Sequence, residues 1–443
     1  MSDPPIKTPP GLGLQESQEL ASAVCSSADY LSALVERFGD VSRYVNSYGP
    51  VYFFNHPDHV QSILLNQKYE RARLVKLVLG DGLLSSDGDY WRSQRRLISP
   101  QFHEHCMPHF VPMIVDATNA TFERWHQSGR IDVSFEMRRL TLDVIVRAMF
   151  SLSIGDKLDE LSDAVTVLIE DLGTLGGSLF NLQEQITPER NARFQRALKC
   201  VDNFAHELLA SRRVKSQQNR DLVSLLLNAK DESTGMPLNE KQLRDEIVTM
   251  LLAGHETTAI TLAWAIDLLA RNAAARERLR TEVDHAISGR SPQYDDLNSL
   301  NYARMVIDET LRLNPPVWFM MRKAEVDSEL GGYFIPANTS VLISPYTTHR
   351  HKEFWKDPDS FDPERFSQEQ SKTRHRYAYV PFSTGRHHCL GHAFAMMETQ
   401  FILAMIAQHW QLTPMSDRIE PNPAITYRQR GELMVKAIPR YQL

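Results

Sequence analysis

A single cysteine stands among three histidines in PFSTGRHHCLGHAFA, residues 381–395, directly ahead of an apolar run with helical spacing. A thiol just before a helix meets unpaired N–H groups and the positive end of the dipole, which favour its anionic form. Gly385 and Gly391 bracket Cys389 and let the backbone turn tightly or let a flat ligand come close. Phe382 offers an aromatic wall, and Arg386, His387 and His388 add cationic or polar character suited to an anionic group. Three chemistries are open to Cys389: a buried inert thiol, a zinc ligand with His392 and His387 or His388, or a reactive sulfur presented to a bound group. Structural zinc wants a second ligand pair at knuckle spacing, and the chain has no second Cys pair.

Other residues of chemical promise sit far from the cysteine in sequence. Glu309 and Arg312 are one helical turn apart, able to pair on one face, and Arg365 follows in FDPERF. Taken alone, the pair is an ordinary surface ion pair. AGHETT, residues 253–258, lies midway along an apolar helix, between Val248–Leu252 and Ile260–Leu262. Its polar residues are either a solvated face or threonines bonding back to the carbonyl four residues earlier. The apolar flanks argue against solvation. In DYWRSQRRLISPQF, Trp91 and Arg95 share a helical face. Arg322 follows the proline break in FMMRKA.

The elements that must carry these residues are mostly helical. LRDEIVTMLLAGHETTAITLAWAIDLLARN predicts a helix of about 30 residues, apolar nearly all round and therefore central, capped by Asn239 with Gln242 and ending near Asn272. SLNYARMVIDETLRLNPP predicts a second helix closed by Pro315 and Pro316, and CLGHAFAMMETQFILAMIAQHW a last one. SRYVNSYGPVYFFNHPDHVQSILL reads as strands and a short helix, GGYFIPANTSVLISPYTTH as short strands and turns, and WKDPDSFDPERF as an irregular meander.

The chain has 443 residues, 42% hydrophobic and 23% charged, with a net charge of −6, which argues against a generally nucleic-acid-seeking surface. Its four scattered cysteines form no disulfide framework, which points to a reducing, cytoplasmic setting. No secretory leader and no membrane anchor are expected. Without repeats or low-complexity linkers, one large, mainly α domain with a minor β portion is predicted.

Phe382-x-x-Gly385-x-His387-x-Cys389-x-Gly391 resembles the haem-binding loop of the cytochrome P-450 family, in which the cysteine thiolate is the axial iron ligand. Ser383 stands where the family usually has glycine, and His387 where arginine is frequent. The resemblance runs from about Tyr48 to the C-terminus. It implies a triangular helical prism with the haem between the long central helix and the Cys-loop helix. Residues 1–47 are then an N-terminal segment, loosely ordered at its start, and 48–443 a single catalytic domain.

Residue by residue, the resemblance implies that Cys389 ligates the iron of haem b, with Phe382, Gly391 and Ala253 against the cofactor. Trp91, Arg95, Arg322 and His387 are the implied propionate partners. Thr257 and Glu256 are the implied catalytic pair, with Gly254 and Thr257 opening the helix where dioxygen fits. Thr257 then hydrogen-bonds bound oxygen and Glu256 relays protons. Glu309, Arg312 and Arg365 resemble the family's buried network behind the haem loop, which is architectural.

The implied reaction is insertion of one oxygen atom of O2 into a C–H bond, with electrons from a separate ferredoxin or flavodoxin and an NAD(P)H-dependent reductase. Arg92, Arg95, Arg96, Arg386, His387, His388, Lys352 and Lys356 are the expected cationic docking face. By family position the pocket takes in residues 76–88, 172–183, Ala253, Thr257, Val317, Trp318, Phe319, Met320 and Ala424 or Ile425. This lining predicts an apolar substrate, a fatty acid or a terpenoid or polyketide-type intermediate. GLLSSDGDYWRSQRRLISPQF and FDPERF look more like the fatty-acid hydroxylase and microsomal side of the family than its bacterial terpene hydroxylases. A peroxide-driven peroxygenase and a haem-thiolate sensor or electron carrier are the competing functions; Glu256–Thr257 speaks against the first.

Overall fold

The computed structural model describes residues 7–71, 76–180, 187–214, 221–230, 235–416 and 419–440, with the backbone alone at 174–178 and 214. The central helix spans Glu240–Arg271. It begins where the sequence predicts: Asn239 Oδ1 accepts from the Gln242 N–H at 3.0 Å, and Gln242 Oε1 accepts from the Asn239 N–H at 2.8 Å. Asn272 closes it. Almost every side chain between Ile247 and Ile266 is buried, because helices pack around it on several sides, among them Val133–Phe150, Asn301–Leu313 and His392–His409. An all-round apolar helix is stable only in such a place.

Five strands form the main sheet: β1 (Val41–Asn46), β2 (Gly49–Phe54), β3 (Tyr69–Arg71), β4 (Met320–Ala324) and β5 (Ser340–Ile343), in the order β1-β2-β5-β4-β3. β1 and β2 make a hairpin through Asn46 and Gly49, while β2 and β5 run parallel. On the far edge, β3 pairs antiparallel with β4 so that Arg71 lies opposite Arg322. Smaller sheets use the C-terminal segments, including Tyr427–Gln429 and Met434–Pro439. The mainly α architecture with a minor β portion is thus as the sequence predicts. Residues ahead of Tyr48 include helices Leu14–Ala23 and Ser27–Phe38, with Leu12, Tyr30, Leu31 and Leu34 fully buried. Among the described residues no helix is long and apolar enough to cross a membrane.

Candidate active site

The cysteine loop is a tight backbone construction. The Cys389 N–H donates to the Phe382 carbonyl at 2.9 Å, a single turn of 3-10 helix covers Gly385–His387, and Gly391 caps the helix His392–His409. Gly385 has φ +67°, and a Cβ there would sit 2.9 Å from the Leu64 carbonyl oxygen, so the position needs glycine. Ser383 also has positive φ, +57°, which is the strain that a glycine at this position avoids. Phe382 packs at 4.3 Å against the tilted ring of His392. That histidine therefore packs as an aromatic, and among the described residues no cluster of three metal-ligating side chains forms.

Cys389 departs from one expectation. Its thiol pKa is raised, not lowered: burial dominates, and the Gly391 N–H and the Arg95 cation only partly offset it. Yet Cys389 exposes surface. A group that is both desolvated and accessible faces an internal hollow. Ala253 has the same character, exposed on the central helix between buried Leu252 and buried His255.

Thr257 and Thr258 bond back along the helix, Thr257 Oγ1 to the Ala253 carbonyl at 3.0 Å and Thr258 Oγ1 to that of Gly254 at 3.4 Å. The helix is continuous through both, so the opening expected at Gly254 and Thr257 is not a break in it. Glu256 is buried, with one carboxylate oxygen lacking a hydrogen-bond partner. Burial raises its pKa, Arg428 and Arg138 pull it back, and Glu170 adds to the rise. Glu170 and Arg428 themselves pair at 3.5 Å.

Trp91, Arg95, Arg322 and His387 gather in one cluster, with two residues that sequence reading missed. Trp91 packs with its ring tilted against His387 at 4.4 Å, and Arg95 lies over Trp91 while its Nη1 donates to the His388 carbonyl at 2.8 Å. Arg322 is buried opposite Arg71, the first missed residue. Arg71 is held by the carbonyls of Leu83 and Ser86 at 3.0 and 2.8 Å. Asp87 is the second: it accepts from the N–H groups of Arg71 and Gly88 at 3.1 and 2.9 Å and faces His387 at 3.4 Å and Arg386 at 3.7 Å. Burial works to raise the Asp87 pKa, but His387 and these two N–H groups outweigh it and hold the carboxyl down. Strand pairing, not sequence proximity, joins Arg71 to Arg322. Only the alternation of YERAR, a cation recurring every second residue, could have marked it.

These residues fit an anionic, planar group. Burial comes first in lowering both buried guanidinium pKa values to about 10; Asp87 opposes it in each, while Arg386 and Arg95 add to the fall of Arg71, and Arg71 and Arg386 to that of Arg322. Like charges directly opposite on a sheet repel, and Asp87 is one carboxylate among four cations counting Arg386 and Arg95. Both ring nitrogens of His387, Nε of Arg71 and Nη2 of Arg386 have no hydrogen-bond partner. Buried donors without acceptors are costly, so the cluster suits an anionic acceptor group. Burial pushes His387 down to about 4, against the pull of Asp87, so its ring is neutral here.

Behind the loop, Glu309 and Arg312 are both fully buried and form two bonds, 2.6 and 2.8 Å. Arg365 joins at 3.4 Å. Arg312 also donates to the carbonyls of His349, Pro358 and Ser360. The pair therefore ties the helix Asn301–Leu313 to the meander and is no surface ion pair. Arg374, unmarked in the sequence, stacks at 4.1 Å on Trp355 beside it.

Two expectations need correcting. Trp318 does not line a hollow: it is fully buried, packs 5.4 Å from Phe180 and donates Nε1–H to the Ala424 carbonyl at 2.9 Å. Val317 is the exposed one, at 40%. The cationic face is also smaller than predicted, since Arg92 pairs with Asp89, while Arg386 and His387 turn inward to Asp87. Lys352 and Lys356 are exposed. Of the predicted pocket wall 172–183, Gly173 packs on Ala424, whereas 181–183 and the side chains of 174–178 lie outside the described residues.

The family model described as Cytochrome P450 matches residues 22–442. Cyclooctat-9-en-7-ol 5-monooxygenase of Streptomyces melanosporofaciens is 35% identical over 371 residues, 82% of this chain and 80% of that one. Cyclooctatin synthase of the same organism is 35% identical over 385 residues, 85% and 84% of the two chains. Leukotriene-B4 omega-hydroxylase 3 of Mus musculus is 32% identical over 426 residues, 88% of this chain and 80% of its own length.

Proposed function

The chain belongs to the cytochrome P450 family and is a monooxygenase; from that premise we propose that it hydroxylates an apolar terpenoid-type molecule at a haem b held by Cys389. The observation that carries this reading is the cysteine itself, desolvated yet open to an internal hollow, with an excess of buried cations close by. Haem ligated by thiolate supplies the activation of dioxygen and the transfer of one oxygen atom to carbon. Trp91, Arg95, Arg322 and His387, joined by Arg71, would hold the carboxylates of the cofactor. Phe382, Gly391 and Ala253 would lie against its ring. The Gly391 N–H and Arg95 favour the sulfur anion and offset part of its burial cost.

Thr257 offers its hydroxyl to the hollow, releasing the Ala253 carbonyl to do so. Burial shifts Glu256 toward its protonated form, and the Glu170–Arg428 pair links it toward the outside. Exposed Leu84 and Val317 keep the space above apolar. Glu309, Arg312 and Arg365 keep the meander in place and take no part in proton transfer. We assign residues 48–443 to one catalytic domain, into whose core β1 and the helices Leu14–Ala23 and Ser27–Phe38 also pack.

The two Streptomyces relatives support a terpenoid-type substrate over a fatty acid. Electrons come from an acidic ferredoxin or flavodoxin and its reductase, docking through Lys352, Lys356 and Arg96. A reduced, carbon monoxide-treated absorption spectrum tests the ligand: Cys389→Ser should abolish the thiolate signature, and an unchanged spectrum refutes the assignment. Spin-state titration with polycyclic terpenes and with fatty acids tests the substrate class; a response to fatty acids alone refutes the terpenoid reading.

A further inference from the structure

The first turns of the central helix grip the backbone of residues 78–83. Arg244 Nη1 donates to the Val78 carbonyl at 2.8 Å, Asp245 accepts from the Asp81 N–H at 2.8 Å, and Glu246 accepts from the Leu83 N–H at 3.1 Å. The approach leaves no room for side chains: a Cβ on Gly80 would lie 2.2 Å from the Asp245 carboxylate, and one on Gly82 2.1 Å from Thr249 Oγ1. Arg244 and Asp245 have further partners, Asp202 at 2.8 Å and Lys241 at 2.6 Å. Glu246 differs. It is fully buried, and the oxygen that does not bond Leu83 has no hydrogen-bond partner.

The residue after this grip is Leu84, 44% exposed between buried Leu83 and buried Ser85. Glu246 also shares a helix face with Ala253 and Thr257, seven and eleven residues on. We infer that Glu246 is a positioning residue: its hold on the Leu83 amide sets where the wall carrying Leu84 stands, and loss of its proton to solvent releases that wall. That Leu84 faces substrate rests on the proposed function; the grip itself does not.

Two carboxylates and a tyrosine surround Glu246. Asp245, on its own helix, is paired with Lys241 and Arg244. Asp81, on the loop, is paired with Lys76 and Lys241. Tyr90, from the helix Gly88–Ile98, is kept protonated, its pKa raised by burial first and by Glu246 second. Burial raises Glu246 to about 8 from 4.5, with the Leu83 N–H opposing and Asp245 adding. When the loop lifts away, Glu246 regains water and its ordinary value. Between the two values the closed form holds a proton that the open form has lost. Closure is therefore strongest below about pH 4.5, weakens by up to about tenfold per pH unit as pH rises, and levels off above about pH 8.

Hydrogen-exchange mass spectrometry of the cofactor-loaded full chain, corrected for intrinsic exchange, reads this directly in a peptide covering 78–86. In the wild type, opening of this segment should rise by up to about tenfold per pH unit between about pH 5 and about pH 8, then flatten. Glu246→Gln keeps an acceptor for Leu83 and should stay protected with no such slope. Glu246→Ala should lose at least about tenfold protection at low pH. A flat wild-type profile, an unchanged slope in Glu246→Gln, or full protection in Glu246→Ala overturns the inference. Should the alanine variant fail to fold, wild type against Glu246→Gln still decides. The carbon monoxide spectrum tests Cys389 independently, so failure of one reading is not failure of the other.

Discussion

Replacing Arg322 by methionine should move the stability of the haem-free and haem-loaded protein in opposite directions. Arg322 is 6% exposed and lies across the sheet from Arg71. Burial first, and Arg71 next, bring its pKa to about 10 from 12.5. That lowering corresponds to about 3 kcal/mol against the charged form. The sign is fixed by the direction. Below about pH 10 both the folded and the unfolded chain carry the proton, so at neutral pH the whole penalty is expressed in the folded, haem-free state. Methionine has comparable length and no charge; losing the 3.0 Å bond to the Met321 carbonyl returns about 1 kcal/mol of the gain. The haem-free variant should therefore be stabilised by about 1–2 kcal/mol. The loaded protein should instead lose a charge-assisted bond of about 1.5–3 kcal/mol, raising the rate of haem loss about ten- to hundredfold. Thermal unfolding of both forms, with haem transfer to an excess of apomyoglobin, measures the two effects. Equal destabilisation of both forms would show that Arg322 acts through packing and would refute the charge argument.

Two further outcomes concern the cysteine loop and the central helix. Ser383→Gly removes a side chain from φ +57° and should raise the unfolding temperature slightly, by about 0.5–1 kcal/mol of stability after the entropy cost of glycine; a lower temperature would contradict it. Thr257→Ala should divert electrons into hydrogen peroxide while substrate affinity changes less than about twofold, measured as peroxide released per NAD(P)H consumed; full coupling would remove Thr257 from proton delivery.

Much of the architecture is legible because the residues that specify it are neighbours in the chain. Asn239 and Gln242 announce the start of the central helix, and the apolar run after them places it in the core. The cysteine loop is equally local, so its motif reads directly. The meander is read only in part: FDPERF marks Arg365, but Arg374 has no signal, because its place on the face of Trp355 depends on how the meander folds back. Trp318 misleads for a similar reason. An indole beside Val317 looks like pocket lining until its Nε1–H finds the Ala424 carbonyl, more than a hundred residues away.

By itself the sequence determined the helical class, the long buried helix, the sulfur and the order of motifs around it, since periodicity, caps and short loops act over a few residues. Tertiary structure alone decided which charges are desolvated and what faces them. Arg71 meets Arg322 through strand register, and Asp87 answers both. Burial, not the helix dipole, sets the direction of the Cys389 shift, because the cost of removing water depends on every atom packed around a group and on none in particular.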